Sequence, residues 1–176
     1  MRSDRKTFKT RERSEFEHKM IDLRRVARVE KGGRRFSFRA TVIAGNRKGK
    51  VGVGIGKGAD TAAAIDKALR KAKKCAVLIE LNDAGSVPKD IEAKYSSARV
   101  LIRRAPEGTG LVAGSSVRVV LDFAGVRNAT AKIISHTKNK INNAGAAIEA
   151  LRKLSQVPRS LNSQQDAKPL QATEND

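Results

Sequence analysis

Val51-Gly52-Val53-Gly54-Ile55-Gly56-Lys57 decides how this chain folds, because aliphatic side chains alternate with glycine through most of the stretch. A period of two is typical of a β-strand, so this strand carries side chains on one face and bare backbone on the other. Something must therefore pack or bind very close to the glycine face. The next residues predict a helix to about Ala76, with Asp60 or Thr61 as its cap. Its apolar stripe at helical spacing contains Ile65, Ala68, Leu69, Ala72 and Ala76.

Two strands joined by glycine-containing basic turns precede the glycine strand. Residues 21–29 and 35–44 form a predicted hairpin around Lys31-Gly32-Gly33-Arg34-Arg35, and Gly45-Asn46-Arg47-Lys48-Gly49-Lys50 leads into the glycine strand. Alternation places Phe36 and Phe38 on one face of the second strand. This favours core positions for both rings over a weak likeness to single-strand RNA-recognition sheets. The first module is thus predicted as a three-stranded antiparallel sheet with one helix.

A second module is predicted after a boundary at residues 82–89. Its predicted elements are a strand, a helix and a second strand, at residues 98–104, 115–124 and 129–135. Gly125 stands where a helix C-cap belongs. A final helix is marked by apolar residues at helical spacing, namely Ile141, Ala144, Ile148, Leu151 and Leu154. These elements predict a two-layer α/β sandwich, and the whole chain is predicted to have an α+β fold.

The formal net charge of +19 is the strongest compositional signal for a partner. Sixteen Lys and Arg stand against five Asp and Glu in residues 20–80, so more than half of the net charge lies in the first module. Such an excess raises the cost of folding through self-repulsion, and release of counterions from a polyphosphate offsets it. With five Phe, one Tyr and no Trp, stacking of single-stranded bases is disfavoured, and contact with folded nucleic acid is favoured.

The predicted organisation is a basic N-terminal arm over residues 1–19, the first module over 20–80, the second over 81–154, and a disordered tail over 155–176. The arm is charged, and no stretch approaches the roughly 20 apolar residues of a membrane helix, so no secretory signal or membrane span is predicted. The single cysteine, Cys75, has no disulfide partner in the chain and is expected to be buried near the helix end. A reducing, cytoplasmic compartment is therefore expected.

No metal, cofactor or catalytic site is predicted. His18 and His136 lie far apart in the sequence, and neither has a Cys or carboxylate at ligand spacing. The glycine strand fits neither nucleotide-binding template, since Lys57 is followed by Gly58 where a phosphate loop needs Ser or Thr.

The loop over residues 106–116 offers a sharper alternative, because it looks like the glycine-serine loop of small-metabolite kinases such as homoserine and mevalonate kinase. In those enzymes, amides at a helix N-terminus hold phosphates. The other interpretation is that its glycines permit a tight turn and that Ser115 or Ser116 caps the next helix. We favour the second interpretation, since the chain is short for such a kinase and no acidic residue presents itself as a base or metal ligand.

Residues 28–57 closely resemble ribosomal protein five of the bacterial small subunit, through Lys31-Gly32-Gly33-Arg34, Phe36-Ser37-Phe38 and the glycine strand. The second module agrees through Glu107-Gly108-Thr109-Gly110 and Ala124-Gly125-Val126, in the order and at the spacing of that family. The resemblance implies a first domain similar to double-stranded RNA-binding domains and a protein without catalytic activity. A small-metabolite kinase and a free-standing double-stranded RNA-binding module are kept as alternatives.

Members of that family bind small-subunit ribosomal RNA and touch ribosomal proteins four and eight. They also line the path by which messenger RNA enters, and they influence decoding accuracy. The resemblance therefore implies a cytoplasmic, ribosomal location, with those molecules as partners and no cofactor.

The basic turns and the resemblance together supply the candidate site residues. The predicted RNA-binding residues are Arg28, Lys31, Gly32, Gly33, Arg34, Arg35, Arg47, Lys48, Lys50 and Lys57. Gly32 and Gly33 would let the loop backbone approach phosphates without a side-chain clash. The resemblance places Gly110 and Arg118 at positions that face protein four, and Gly108 is assigned to the same protein interface.

Overall fold

The computed structural model describes residues 15–79, 81 and 85–155. In chain order, its elements are β1 Glu17–Glu30, β2 Gly33–Gly45, β3 Lys50–Gly58, α1 Thr61–Lys74, β4 Val77–Leu78, β5 Ile91–Tyr95, β6 Ala98–Arg104, β7 Leu111–Val112, α2 Ser115–Ala124, β8 Ala129–Ile133 and α3 Lys140–Ser155. The strands form two sheets, in the orders β1-β2-β3-β4 and β5-β6-β8-β7. Most of the predicted arm and nearly all of the predicted tail lie outside the described residues.

Helix α1 packs against the glycine face of β3. A Cβ added at Gly52, Gly54 or Gly56 would overlap the carbonyl oxygens of Ala72, Ala68 and Ala64, respectively. The match is geometric, since two strand residues span about 6.6 Å and four helix residues rise about 6 Å. The prediction that something lies very close to the glycines is confirmed.

The helix differs in detail from its prediction. It ends at Lys74 rather than near Ala76, and Asp60 is its N-cap without a side-chain hydrogen bond. Its buried residues are Ala64, Ala68 and Ala72, whereas Ile65 and Leu69 are only half-buried. Only a small side chain fits where the helix backbone nearly touches the strand, so the alanines form the contact and the larger residues flank it.

The second module is a sheet with α2 and α3 packed on it, as predicted. Strands β5, β6 and β8 are antiparallel, and β7 runs parallel to β8. Gly125 is the C-cap of α2 with φ 91°, as its position predicts. The proposed serine cap is wrong, because Gly114 is the N-cap and no side chain bonds there. The prediction missed β4, β5 and β7, two of which have only two residues.

The two modules share one hydrophobic core. Ile43 and Val51, on the face of the first sheet opposite α1, belong to the same buried cluster as Val120, Leu121 and Leu151 of the second module. The layers therefore run in the order α1, first sheet, α2 with α3, second sheet. The second module covers a sheet face that would otherwise expose aliphatic side chains to water.

Two burial predictions are wrong. Phe36 is 52% exposed, because it lies on a part of β2 that no helix covers. Cys75 is also exposed, because it is the C-cap of α1.

Candidate RNA interface

The first hairpin extends past the rest of its sheet. Strand β1 pairs with β2 along its whole length, but β3 pairs with β2 only from Phe38 onward. Residues 26–37 therefore form a two-stranded ribbon, here called the 26–37 ribbon. It extends about 17 Å beyond the last three-stranded row. No third strand and no helix covers it among the residues that the structure describes.

The tip of the ribbon is an open turn. Gly32 has φ 83°, a conformation that L side chains rarely adopt, so this glycine is required by the backbone. A Cβ at Gly33 would meet nothing within 4 Å. Lys31 is exposed beside them. The backbone of this turn is thus accessible to a partner, as its predicted role requires.

One face of the ribbon is basic. Arg28 and Arg35 lie directly opposite each other, with 83% and 81% of their side chains exposed. Glu30 pairs with both, at 2.8 Å from Arg35 Nε and 3.6 Å from Arg28 Nε. One carboxylate between two guanidinium groups leaves a net positive charge on this face. Arg34 lies on the other face, opposite Val29.

That other face carries a stacked pair that the sequence alone does not predict. The guanidinium of Arg25 lies 4.5 Å from the centre of the Phe36 ring. Val29, further along, is 77% exposed. The pair depends on the register of β1 against β2, which places Arg25 diagonally opposite Phe36, within reach of a long side chain.

Lys57 lies at the root of the ribbon rather than at its tip. It is exposed and pairs with Arg39, which in turn pairs with Arg24. Directly opposed residues point to the same side of a sheet, so these three basic side chains form a row. By alternation along β1 and β2, the row shares its face with Arg28 and Arg35. Of these three residues, only Lys57 is predicted from the sequence as an RNA-binding residue.

The second basic turn lies at the opposite end of β2, about 40 Å from the first. Its amides bond to the end of α2, with Arg47 N donating to Phe123 O at 3.0 Å and Gly49 N to Ala124 O at 2.9 Å. The last carbonyls of a helix have no partner within the helix, and this turn satisfies two of them. The two basic turns are therefore not one surface.

Arg47 is engaged within the protein. Its guanidinium lies 3.1 Å from Glu17 and 4.0 Å from Asp122, and 5.7 Å from the centre of the Phe123 ring. Lys48 and Lys50 are exposed on the same turn. The ten candidate residues thus divide into a ribbon group, Lys57 at its root, and a group of three at the contact between modules.

We predict that Gly125→Ala weakens this contact. The residue has φ 91°, and an added Cβ would overlap Arg47 O. Gly108→Ala is the matched control, because it has φ 88° but its Cβ would meet nothing within 4 Å. Backbone strain costs each variant about 1–2 kcal/mol. Gly125→Ala is expected to lose about 2 kcal/mol more in urea unfolding, and equal losses would contradict the close packing of the turn on α2.

The proposed protein-interface residues lie in two neighbouring places. Gly108 and Gly110 are in the loop between β6 and β7, and Arg118 is on α2. Gly108 and Gly110 have φ 88° and 71°, and nothing lies within 4 Å of a Cβ placed on either. The amide of Gly110 donates to Asn128 Oδ1 at 3.1 Å, which holds this part of the loop. Arg118 is exposed on α2. The loop and Arg118 are open to a partner.

A second basic surface lies on α1. Its exposed residues line a shallow groove beside Ile55 and are Lys67, Arg70, Lys71, Lys73 and Lys74. Among the described residues, no helix is long and apolar enough to cross a membrane. Within that same part of the chain, no group of three or more His, Cys, Asp or Glu side chains is placed to hold a metal ion.

Comparison with known proteins assigns both modules to one type of protein. The family model "Ribosomal protein S5, N-terminal domain" matches residues 16–80, and "Ribosomal protein S5, C-terminal domain" matches residues 93–163. The small ribosomal subunit protein uS5c of Cyanophora paradoxa is 44% identical over 155 residues, which cover 88% of this chain and 91% of that protein. The uS5 proteins of Thermosynechococcus vestitus and Synechococcus elongatus are 43% and 44% identical to it, each over 146 residues. These residues cover 83% of this chain in both comparisons, 83% of the Thermosynechococcus protein and 81% of the Synechococcus protein.

Proposed function

This chain belongs to the ribosomal protein S5 family, and we propose that it binds small-subunit ribosomal RNA through the 26–37 ribbon. As a family member it is a structural protein of the small ribosomal subunit and not an enzyme. The kinase alternative for the loop over residues 106–116 is thereby excluded.

One observation carries the RNA assignment. The ribbon presents Arg28 and Arg35 side by side, more than four-fifths exposed, with a single carboxylate shared between them. Like charges directly opposite each other on a sheet destabilise it, so the arrangement favours an external anion. Phosphates supply that anion, and their neutralisation releases counterions. Lys31 and the open glycine turn continue from these arginines to the tip, and Arg34 adds a positive charge on the other face of the ribbon.

We assign the second basic turn, over residues 45–50, mainly to the contact between the two modules. Since its amides and Arg47 are engaged with α2, we assign to Arg47 the contact between modules and leave only Lys48 and Lys50 free to meet RNA. Both lysines are on the far end of the sheet from the ribbon. The proposal therefore does not require the RNA helix that contacts the ribbon to contact these two lysines as well.

The partners proposed beyond RNA are ribosomal proteins four and eight and messenger RNA near its entry path, with an influence on decoding accuracy in the cytoplasm. We place protein four against Gly108, Gly110 and Arg118, because the loop backbone is open there and Arg118 is exposed. This surface lies on the second module, away from the ribbon. The protein would then connect RNA on one side to a protein on the other.

Arg118→Glu is predicted to separate these two roles. Reversing an exposed charge at a rim slows association with an oppositely charged partner and leaves the fold intact. We expect weaker association with protein four in reconstituted particles, about tenfold in affinity, and ribosomal RNA affinity within twofold of the parent. Lys132→Glu, an exposed charge on β8, is the control. An unchanged affinity for protein four would refute the assignment.

The overall proposal is tested by sedimentation. The protein should migrate with small ribosomal subunits in moderate salt and be recovered from them with bound ribosomal RNA after crosslinking. A soluble pool free of ribosomes, binding any RNA duplex equally well, would instead support a free-standing double-stranded RNA-binding module.

A further inference from the structure

Arg24, Arg39 and Lys57 form a row of positive charges across the first sheet. Arg24 is directly opposite Arg39, and Arg39 is directly opposite Lys57, so three cations lie side by side across β1, β2 and β3. Cα atoms of opposed residues are about 4.5–5.5 Å apart. The row is therefore about 10 Å long, and we call it the basic row.

Among the residues that the structure describes, a carboxylate balances only one end of the row. Arg24 Nε pairs with Asp22 at 3.0 Å. No carboxylate among the described residues lies within ion-pair distance of Arg39 or Lys57. Arg39 Nε is also buried without a hydrogen-bond partner. A buried donor without an acceptor is unfavourable, and so are like charges on opposed residues.

The surroundings of the row keep it open to a ligand. The Arg24 side chain is 58% exposed and Lys57 is exposed, so the second module does not cover this end of the sheet. Lys140, in the first turn of α3, lies nearby with its Nζ 3.4 Å from Ile21 O. None of the three residues of the row is aromatic, so the row offers no aromatic ring as a stacking platform for a base.

We propose that the basic row is a binding site for a phosphate group of an RNA strand, with Arg39 as its central donor. The inference rests on the proposed function and adds a second contact point at the root of the ribbon, about 13 Å from Arg28 along β1. Arginine binds phosphate through paired N–H groups in a planar fork. A turn about the terminal bonds of Arg39 brings Nε toward the anion and satisfies it.

The first test uses the protein alone, with inorganic phosphate as the probe. Thermal unfolding is compared in phosphate and in chloride at equal ionic strength, for the parent and for Arg39→Met. Removing the central charge relieves the repulsion, so the variant should melt about 1–4 °C higher in chloride. It should also lose the extra stabilisation that phosphate gives the parent. Arg103→Met on β6 is the control, because Asp90 lies 3.8 Å from that arginine.

A direct measurement on the unmutated protein completes this test. The Nε–H signal of Arg39 in a nitrogen-resolved NMR spectrum should shift and saturate as phosphate is added, while that of Arg103 shifts little. A shift of the same size for both arginines would overturn the proposal. A loss of stability for Arg39→Met in chloride would also do so, because it would make Arg39 a structural residue.

The second test separates this inference from the proposed function. In binding to small-subunit ribosomal RNA, Arg39→Met should lower the slope of log affinity against log salt by about 0.9, the value for one phosphate contact. An unchanged slope overturns the basic row while the ribbon assignment stands. The ribbon assignment is tested by variants of its own. If those variants bound RNA as tightly as the parent, the ribbon assignment would be wrong, and the phosphate response of Arg39 would remain an independent result.

Discussion

Gly54→Ala is expected to lower the free energy of unfolding by about 3 kcal/mol or more. The added Cβ would overlap the carbonyl oxygen of Ala68 and lie 2.5 Å from Ala72 N, and both are backbone atoms of α1. A helix backbone cannot move aside as a flexible side chain can, so the whole of α1 must shift away from β3. That shift would open the contact along Gly52 and Gly56 as well.

Gly33→Ala is the matched control for this substitution. It makes the same chemical change on the neighbouring strand, where the Cβ meets nothing within 4 Å. We expect urea unfolding of that variant to stay within about 0.5 kcal/mol of the parent. If the two variants lost equal stability, the close contact between α1 and the glycine face would be wrong.

Neutralising the ribbon should have the largest effect on RNA binding. Arg28, Lys31, Arg34 and Arg35, replaced together by Gln, remove four charges that are exposed on a projecting hairpin. If each contacts a phosphate, the slope of log affinity against log salt falls by about 3.6, and affinity at 0.1 M salt falls about four thousandfold. The measurement is a salt titration of binding to small-subunit ribosomal RNA.

The control for net charge is an equal change on α1. Lys67, Arg70, Lys73 and Lys74 replaced by Gln lower the formal charge by the same four units, on a basic surface away from the ribbon. We expect this variant to keep most of the salt slope. Equal losses from the two variants would mean that binding follows total charge and that the ribbon has no special role.

Local patterns in the sequence predict those structural elements that depend only on neighbouring residues. The alternation of glycine with Val51, Val53 and Ile55 predicts a strand with one bare face, whatever covers it. Gly125 could be assigned as a cap because the left-handed conformation at a helix end is a property of one residue. The helices and longer strands of the second module follow from periodicity for the same reason.

The positions of the charged side chains relative to one another depend on pairing between distant residues. Local patterns in the sequence do not predict this pairing. The two basic turns are close in sequence, yet β2 is extended and separates them by its full length. The stacked pair of Arg25 and Phe36 and the basic row form only when β1 takes its register against β2. A shift of β1 by one residue would move Arg24 and Arg25 to the opposite faces, away from Arg39 and Phe36.

Burial predictions failed where an element projects or ends. Phe36 follows the alternation of a core strand, but the helix that covers β3 does not extend over the ribbon. Cys75 follows a helix whose last turn is basic and exposed, so its thiol is exposed too. The apolar pattern of the strand continues beyond the region that α1 covers, and the apolar pattern of the helix continues beyond its last residue, Lys74.

Residue-resolved protein–RNA crosslinking on assembled small subunits shows directly whether the 26–37 ribbon binds ribosomal RNA. We predict crosslinks to ribosomal RNA concentrated in the 26–37 ribbon, with Lys31 at the tip among them, and few at the turn that holds Arg47. Crosslinks confined to the lysines of α1, with none in the ribbon, would contradict this prediction.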